Sequence, residues 1–288
     1  FSEPGTIPHP HPITVPSSSS SRPKGRRTAL CIGIDRYATA PLSGCVADAR
    51  LWASTLSGVG YEVSMMTDAQ ATRGAIIARL GELIRASSPG DVVVFQYAGH
   101  GTSLPDLDSD EPDGKDEALC PFDFGEGAFV IDDDLAAIWN LIPPGVNVTC
   151  FMDCCHSGTI NRVVGGTPQP SEPGGRRARY LIPSEEMKEA HAEFRRRTGT
   201  RGVSDSRGPA AMREVSFAAC QAREVAWENE GQGDFTRRAT KILAGLRGSR
   251  RTNAQFHQEV LDAFGAGRVQ TPDLNCTDSL RGAWLLEA

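Results

Sequence analysis

Short, almost continuous apolar runs alternate with amphipathic stretches along the first half of this chain. Four of these runs have the length and composition of buried strands: 28–34, 61–66, 91–97 and 146–151. Helical periodicity follows the first two runs, over 48–56 and over 76–84, and Thr72 can cap the second helix. Buried strands that alternate with helices predict an α/β fold, in which a mainly parallel central sheet carries helices on both faces.

The remaining segments follow less regular patterns. Residues 103–117 are expected to form an acidic loop, 118–130 a short hairpin and 132–141 a helix. In the last part, order is expected from a strand at 215–220, helices at 235–246 and 253–264, and a final strand at 283–286.

Two segments have compositions that argue against a packed core. Residues 1–27 contain six prolines and five consecutive serines, which predicts a disordered arm. Residues 165–213 are rich in arginine and are predicted to form a flexible linker, with a helix over 184–197 inside it. Residues 28–164 and 214–288 are then expected to be two parts of one domain.

Composition excludes several classes of function. A net charge of −6 argues against nucleic acid as the main partner, and no apolar run approaches the ~18 residues of a membrane span. Most of the eight cysteines lie in apolar, strand-like runs, as free thiols do in a reducing compartment. We therefore expect a cytoplasmic protein without a disulfide framework or zinc.

A thiol and an imidazole follow two of the predicted strands. His100 comes after the strand at 91–97, and Cys155 comes after the strand at 146–151. Because active sites gather at the carboxyl ends of parallel strands, these two side chains are a candidate nucleophile and proton carrier. The backbone N–H groups of Gly101 and Cys155 could then form an oxyanion hole. The alternative, a buried cysteine beside an unrelated histidine, stays open on spacing alone.

Ordered motifs along most of the chain resemble those of metacaspases, in the caspase-like family of cysteine peptidases. Residues 97–101 and 153–158 resemble the catalytic His and Cys motifs. Further matches cover the following segments: 42–49, 113–123, 131–135, 218–221 and 233–236. The resemblance implies a caspase-like three-layer α/β/α sandwich, with 28–164 as the large-subunit part and 214–288 as the small-subunit part. It also implies that Cys155 is the nucleophile and His100 its partner.

The resemblance further implies a pocket for a basic side chain. Asp153 lies two residues before Cys155, so its side chain should lie on the same side as the nucleophile. Asp48 matches the family's second S1 aspartate, Cys45 matches another S1 position, and Ala98 stands where relatives often carry serine. Two carboxylates would bind arginine or lysine at P1, the residue before the cleaved bond. We therefore expect protein or peptide substrates with a basic P1 residue.

Two regulatory features follow from the same resemblance. The chemistry needs no cofactor, but calcium could act as an activator through Asp116, Asp132 and Asp133. The linker offers an arginine-directed peptidase its own cleavage sites, as in a zymogen that processes itself. The candidates for self-cleavage are Arg176, Arg177, Arg179, Arg197, Arg201, Arg207 and Arg213.

Two other classes of function remain as alternatives. One is a catalytically silent caspase-like scaffold that binds partners through its basic linker, and the other is a calcium-responsive regulatory module. We expect a monomer that binds neither nucleic acid nor a membrane, with a partner protein as a further means of regulation.

Overall fold

The computed structural model describes residues 25–107, 114–155, 176–199 and 212–288. The strands are β1 (Arg27–Gly33), β2 (Glu62–Thr67), β3 (Val92–Ala98), β4 (Gly101–Pro105), β5 (Lys115–Leu119), β6 (Val130–Ile131), β7 (Asn147–Asp153), β8 (Arg177–Ala178), β9 (Glu214–Ala218), β10 (Trp227–Asn229), β11 (Gln232–Gly233) and β12 (Asp273–Asn275). The helices are α1 (Cys45–Gly58), α2 (Arg73–Arg85), α3 (Asp132–Trp139), α4 (Glu185–Thr198), α5 (Asp234–Gly245), α6 (Asn253–Phe264) and α7 (Asp278–Arg281).

A six-stranded sheet forms the centre of the fold, in the order β12-β9-β7-β3-β1-β2. Its first five strands in sequence order pair in parallel, and only β12 runs antiparallel to its neighbour β9. β3 and β7 are buried along their whole length, because helices cover both faces of the sheet. The predicted α/β sandwich with a mainly parallel sheet is therefore confirmed.

Each face of the sheet has its own apolar core. On one face, Ile76, Leu80 and Ile84 of α2 pack with residues of α3 against alternate strand positions such as Phe95. On the other face, α1, α5 and α6 pack against the intervening positions of the same strands. Phe151 is central to this second core, because it stacks on Trp52 of α1 at 4.1 Å between ring centroids. Because successive side chains of a strand point to opposite faces of the sheet, each strand contributes alternate residues to the two cores.

Two small sheets lie beside the central sheet, and one of them corrects the prediction of an acidic loop. β4 pairs antiparallel with β5, so residues 101–105 are a strand whose Thr102 and Leu104 are buried. The second small sheet has the order β11-β10-β8, and it includes part of the linker. These strands were not predicted, because a strand of two to five residues that contains polar residues shows little apolar periodicity.

The predicted last strand at 283–286 is also wrong. The last strand is β12, in which only Leu274 is buried. Leu285 and Leu286 instead pack into the core from a turn, and only an isolated bridge joins Trp284 to Thr252. Leu285 and Leu286 are therefore buried without being part of a strand.

Residues 176–199 are packed against the domain, which corrects the expectation that the whole linker is flexible. α4 begins after Ser184, whose side chain caps it, in agreement with the predicted helix at 184–197. The ring of His191 is buried, with Nδ1 3.0 Å from the carbonyl oxygen of Gly127. Arg195 is also buried, 3.5 Å from the carboxylate of Asp134. Burial of two side chains that a solvated linker would expose fixes this helix to residues 127–134.

The absence of a side chain at Gly127 leaves room for the backbone of α4. Gly127 has φ +81°, and a Cβ placed there would lie 2.2 Å from the carbonyl oxygen of Ala190, whereas a Cβ at Gly125 would meet nothing within 4 Å. Gly127→Ala should speed amide hydrogen exchange in α4 by about tenfold, because the added methyl group would press on the backbone of Ala190 and overpacking costs about 1–3 kcal/mol. Gly125→Ala should leave this exchange unchanged. Equal exchange in the two variants would contradict the packing described for α4.

Candidate active site

The carboxyl ends of β3 and β7 bring the two predicted catalytic residues to the same edge of the central sheet. Ala98 and Asp153, the last residues of these strands, are partners in the register. His100 and Cys155 each follow two residues later, and both side chains are fully buried. Linker residues 177–181 are hydrogen bonded across this edge, so part of the chain itself occupies the site.

Two backbone N–H groups converge on one carbonyl oxygen of the linker. The N–H groups of Gly101 and Cys155 donate to the oxygen of Arg179 at 3.1 and 3.2 Å. Position 101 has no room for a side chain, since a Cβ there would lie 1.8 Å from the carbonyl oxygen of Cys155. Paired donors of this kind stabilise negative charge that develops on a carbonyl oxygen. The structure thus brings together the two groups that were predicted to form an oxyanion hole.

The guanidinium of Arg179 is buried among three carboxylates. Its Nη2 lies 2.5 Å from Oδ2 of Asp48 and 3.5 Å from Oε2 of Glu228, and its Nη1 lies 3.0 Å from Oδ1 of Asp153. Asp153 also accepts hydrogen bonds from the N–H and hydroxyl groups of Thr236, which fixes its orientation. The result is a closed acidic pocket that holds a planar cation from several sides.

Burial and shared charge set the protonation of this pocket. Burial, together with the charge of Asp153, raises the pKa of the Asp48 carboxyl to about 7 against the lowering effect of Arg179. Burial also disfavours the charged form of Arg179, but the carboxylates outweigh that cost and raise the pKa of Arg179 well above its ordinary value. Arg179 therefore stays charged, and the three acids together carry more negative charge than this one cation neutralises.

Glu228 of β10 is a pocket residue that the sequence did not reveal. Its carboxylate accepts hydrogen bonds from the N–H groups of Ser43 and Gly44 at 3.0 and 3.1 Å, and from the Ser43 hydroxyl. No motif in the sequence marks it, because β10 has only three residues and its partners lie more than 180 positions away. Pairing of β10 with the linker strand β8 brings this carboxylate to the pocket.

The other two predicted S1 residues have different positions. Cys45 lies beside the pocket, with Sγ 3.9 Å from Oε2 of Glu228, and burial raises the pKa of its thiol well above the ordinary value. Ala98 is buried opposite Asp153 in the sheet and has no polar side-chain atom to offer a substrate. The three acids therefore supply the charged contacts to Arg179.

A backbone carbonyl fixes the tautomer of His100. Nε2 lies 2.7 Å from the carbonyl oxygen of Ala40, and because a carbonyl only accepts, Nε2 carries the proton. The lone pair is then on Nδ1, which is buried without a hydrogen-bond partner among the described residues. Ala40 adopts φ +54°, so a left-handed turn directs its carbonyl toward the ring. Burial lowers the pKa of His100 to about 4, so the ring is a neutral base.

The thiol of Cys155 is hydrogen bonded to the backbone of Ala226. Sγ accepts from the N–H of Ala226 at 2.7 Å and lies 3.6 Å from the carbonyl oxygen of the same residue. The two predicted catalytic side chains lie at the same end of the sheet, but they are not hydrogen bonded to each other.

The acids proposed for calcium lie away from this pocket. The antiparallel pairing of β5 with β6 brings Asp116 alongside the start of α3, where Asp132 and Asp133 lie, and Asp116 and Asp133 are buried. Carboxylate oxygens are suitable ligands for calcium, and binding there stays a prediction. Over the described part of the chain, the tight group with metal-ligand chemistry is Asp35, Cys45 and Glu228, beside the arginine pocket.

The remaining candidates for self-cleavage differ from Arg179. The side chain of Arg177 is exposed and donates to the carbonyl oxygen of Pro41, and Arg197 is exposed in the last turn of α4. Arg176 is half-buried, and Arg213 donates to the carbonyl oxygen of Ile142. Arg201 and Arg207 lie outside the described residues.

The sheet order, with helices on both faces, defines a caspase-like α/β fold. Residues 27–163 match the model of the "Metacaspase, peptidase C14 domain" family. The match covers just under half of the chain.

Curated relatives that carry the same family name are similar to about half of the chain. Metacaspase-1 of Cryptococcus neoformans is 37% identical over 147 residues, which are 47% of this chain and 32% of that protein. Metacaspase-1A of Aspergillus fumigatus is 36% identical over 48% of this chain and 37% of its own length. The chain thus spans well under half the length of these relatives.

Two solved structures share the fold. Protein GSU0716 of Geobacter sulfurreducens superposes with a TM-score of 0.72 at 24% identity, covering 90% of this chain and 97% of that protein. Caspase-1 of Spodoptera frugiperda superposes with a TM-score of 0.53 at 13% identity, covering 88% and 87%. Within the described residues, no helix is both long and apolar enough to cross a membrane. All eight cysteines are free thiols, as predicted.

The neutral, buried state of His100 predicts how stability depends on pH. An unfolded histidine titrates near its ordinary pKa of 6.5, whereas folded His100 titrates near 4. Above pH 6.5 both states are neutral and this group adds no slope. Between pH 6.5 and 4 only the unfolded histidine binds the extra proton. The free energy of unfolding should therefore decrease by about 1.4 kcal/mol for each unit by which the pH is lowered.

Urea denaturation of Cys155→Ala protein across this range measures the slope, and Cys155→Ala/His100→Gln is the control. The difference between the two free energies of unfolding, plotted against pH, gives the contribution of His100. Parallel pH profiles would show that His100 titrates normally and is not buried as described.

Proposed function

We propose that this protein is a cysteine endopeptidase that cleaves after arginine, or lysine, and that its own Arg179–Tyr180 bond is its first substrate. One observation carries the proposal: the linker is bound as a substrate would be. The side chain of Arg179 fills the acidic pocket, while its carbonyl oxygen accepts from the N–H groups of Gly101 and Cys155. A peptidase must bind the P1 side chain and the P1 carbonyl together, and one residue satisfies both sites here.

Backbone pairing supports the same register of the linker. β8 pairs antiparallel with β10, so that Ala178 lies opposite Trp227 and Arg177 opposite Glu228. The N–H of Arg179 donates to the carbonyl oxygen of Ala226 at 2.9 Å. The segment before the bond is thus an added strand, a common way to bind an extended peptide. The pairing aligns Arg179 with the pocket and leaves the side chain of Arg177 in solvent.

The pocket favours arginine over other residues on physical grounds. A guanidinium is planar and always charged, and it can contact Asp48, Asp153 and Glu228 at once. A lysine ammonium is a single point charge, which satisfies fewer of these acids. An acidic P1 side chain would add negative charge to a buried site that already holds three carboxylates, so it is rejected.

The proposed reaction begins with rotation of the Cys155 thiol toward Nδ1 of His100. Nδ1 takes the thiol proton, and the thiolate attacks the carbonyl carbon of Arg179. The resulting oxyanion is stabilised by the N–H groups of Gly101 and Cys155. The C–N bond then breaks, and His100 gives its proton to the amine of Tyr180. Water hydrolyses the thioester on Cys155, which regenerates the thiol and leaves a carboxylate on Arg179.

Substitution of the linker arginines tests this proposal directly. Purified wild-type chain should yield a fragment that begins at Tyr180, and Cys155→Ala should stay intact. Arg179→Gln should slow this cut by roughly 100-fold, because removal of one partner from a buried ion cluster costs on the order of 3 kcal/mol. Arg177→Gln is the matched control and should be cut within about threefold of the wild-type rate. Gel electrophoresis with mass spectrometry of the new amino terminus measures both.

The outcome also separates the proposal from a silent scaffold. An intact wild-type chain that also fails to cleave arginine peptides would favour a scaffold. A cut that persists in Cys155→Ala would exclude Cys155 as the nucleophile.

A further inference from the structure

We infer that Tyr37 is a positioning residue for the proposed reaction, because it holds both the imidazole ring and the backbone of His100. This inference rests on the proposed function and deepens it, since it names a residue on which the base depends. Tyr37 lies in the loop that follows β1. Its side chain is buried at the edge of the central sheet where β3 and β7 also end.

The imidazole of His100 needs more than one contact to have a fixed orientation. Nε2 is held 2.7 Å from the carbonyl oxygen of Ala40, which fixes one atom of the ring. Rotation of the ring about that atom would change the direction of the lone pair on Nδ1. A misplacement of about 1 Å at an active site can cost about 100-fold in rate, so this direction matters for proton transfer.

The ring of Tyr37 provides a second contact with the imidazole. The centroids of the two rings are 4.8 Å apart, and their planes are inclined at 49°. Phe124 packs edge-on against Tyr37 at 5.7 Å, so the tyrosine ring is itself held in place. Tyr37 and Ala40 are three residues apart, and one short loop therefore supplies both contacts to the ring of His100.

The hydroxyl of Tyr37 holds the backbone of His100. Oη accepts a hydrogen bond from the N–H of His100 at 3.1 Å and donates to the carbonyl oxygen of Cys120 at 2.9 Å. The hydroxyl oxygen of Tyr97 lies 3.3 Å from that of Tyr37 and 3.0 Å from the carbonyl oxygen of His100. Burial raises the pKa of Tyr37 well above its ordinary value, so the hydroxyl keeps the proton that it donates.

The same contacts orient the N–H of Gly101. This N–H and the carbonyl of His100 belong to one planar peptide group, so a fixed carbonyl also fixes the direction of the N–H. The N–H donates to the carbonyl oxygen of Arg179 at 3.1 Å. The two tyrosine hydroxyls therefore support the proposed base and one of the two proposed oxyanion-hole donors together.

The absence of a side chain at Gly99 permits both hydroxyls to reach this loop. A Cβ at position 99 would lie 2.5 Å from the hydroxyl oxygen of Tyr37 and 2.6 Å from that of Tyr97. Cβ atoms in proteins do not approach other heavy atoms so closely. Any residue other than glycine would therefore displace at least one of the two hydroxyls.

Tyr37 acts on His100 and not on the P1 side chain. In the described part of the chain, none of the hydrogen bonds of its hydroxyl goes to Arg179 or to the three acids around it. Loss of the hydroxyl should therefore lower kcat and kcat/KM equally and leave KM nearly unchanged. This pattern is expected when a lost interaction supports the reaction rather than the binding of substrate.

Removal of single hydroxyl groups from the whole chain tests the inference. Tyr37→Phe keeps the ring and leaves the N–H of His100 without its acceptor. The kcat for a peptide that contains one arginine should fall by about ten- to a hundredfold, which is part of the factor that a well-placed base contributes. KM should stay within about twofold.

Tyr61→Phe is the matched control. The hydroxyl of Tyr61 is also buried, but it has no hydrogen-bond partner among the described residues, so its loss should leave kcat unchanged. Each rate is divided by the number of sites that an arginine-ended peptide halomethyl ketone titrates. A smaller folded fraction then cannot imitate a lower kcat.

The outcomes separate this inference from the proposed function. A kcat per titrated site within about twofold of the wild type in Tyr37→Phe would overturn the inference and leave cleavage after arginine standing. A loss that lies in KM alone would also overturn it, because Tyr37 would then act on binding. A wild type that does not cleave arginine peptides would instead contradict the proposed function.

If Tyr37→Phe does not fold, two other results decide. Gly99→Ala keeps Tyr37 but displaces its hydroxyl, so it should lower kcat in the same way, and a wild-type kcat would overturn the inference. In the wild type, the amide hydrogen of His100 should exchange slowly with solvent, as followed by NMR, because Tyr37 accepts it. Exchange as fast as that of an exposed amide would overturn the inference without any variant.

Discussion

The burial of one arginine among three carboxylates is the constraint on which the arrangement of this molecule depends. Asp48 comes from α1, Asp153 from the end of β7 and Glu228 from β10, and the guanidinium of Arg179 contacts all three. Loss of the Arg179 cation would leave the buried carboxylates without a counter-charge. Removal of one partner of a buried ion pair usually destabilises a protein by more than the intact pair stabilises it. The cluster thus fixes the linker to α1, β7 and β10 at once.

The same contact links the fold to the chemistry. Once Arg179 is in the pocket, its carbonyl oxygen reaches the N–H groups of Gly101 and Cys155, and the next two residues continue along β4. α4 then holds the chain beyond them through His191 and Arg195. The bound linker keeps water and other peptides from Cys155 and His100, and the thiol is directed toward Ala226. In the proposed function, the uncut chain is therefore a substrate complex that waits for one rotation of a side chain.

The parts of the fold that could be predicted are those with long, regular patterns. The strands β1, β3 and β7 and the helix α2 followed from apolar runs and helical spacing, and α4 was found inside the linker from the acidic residues at its start and the arginines at its end. The short strands β4, β8 and β10 could not be found this way, because their stability comes from partners distant in sequence. Glu228 was missed for that reason. Arg179 was one of seven arginine candidates, since the contacts that single it out exist only after the linker folds back.

Calorimetric titration of the uncut chain with an arginine-ended peptide tests the central claim most directly. In Cys155→Ala protein the linker should compete for the pocket, so the peptide should bind weakly. In Cys155→Ala/Arg179→Gln protein the pocket is vacated, and the same peptide should bind at least about tenfold more tightly, because the apparent affinity scales with the fraction of molecules whose site is open. Equal dissociation constants in the two proteins would show that Arg179 does not occupy the pocket and would contradict the account.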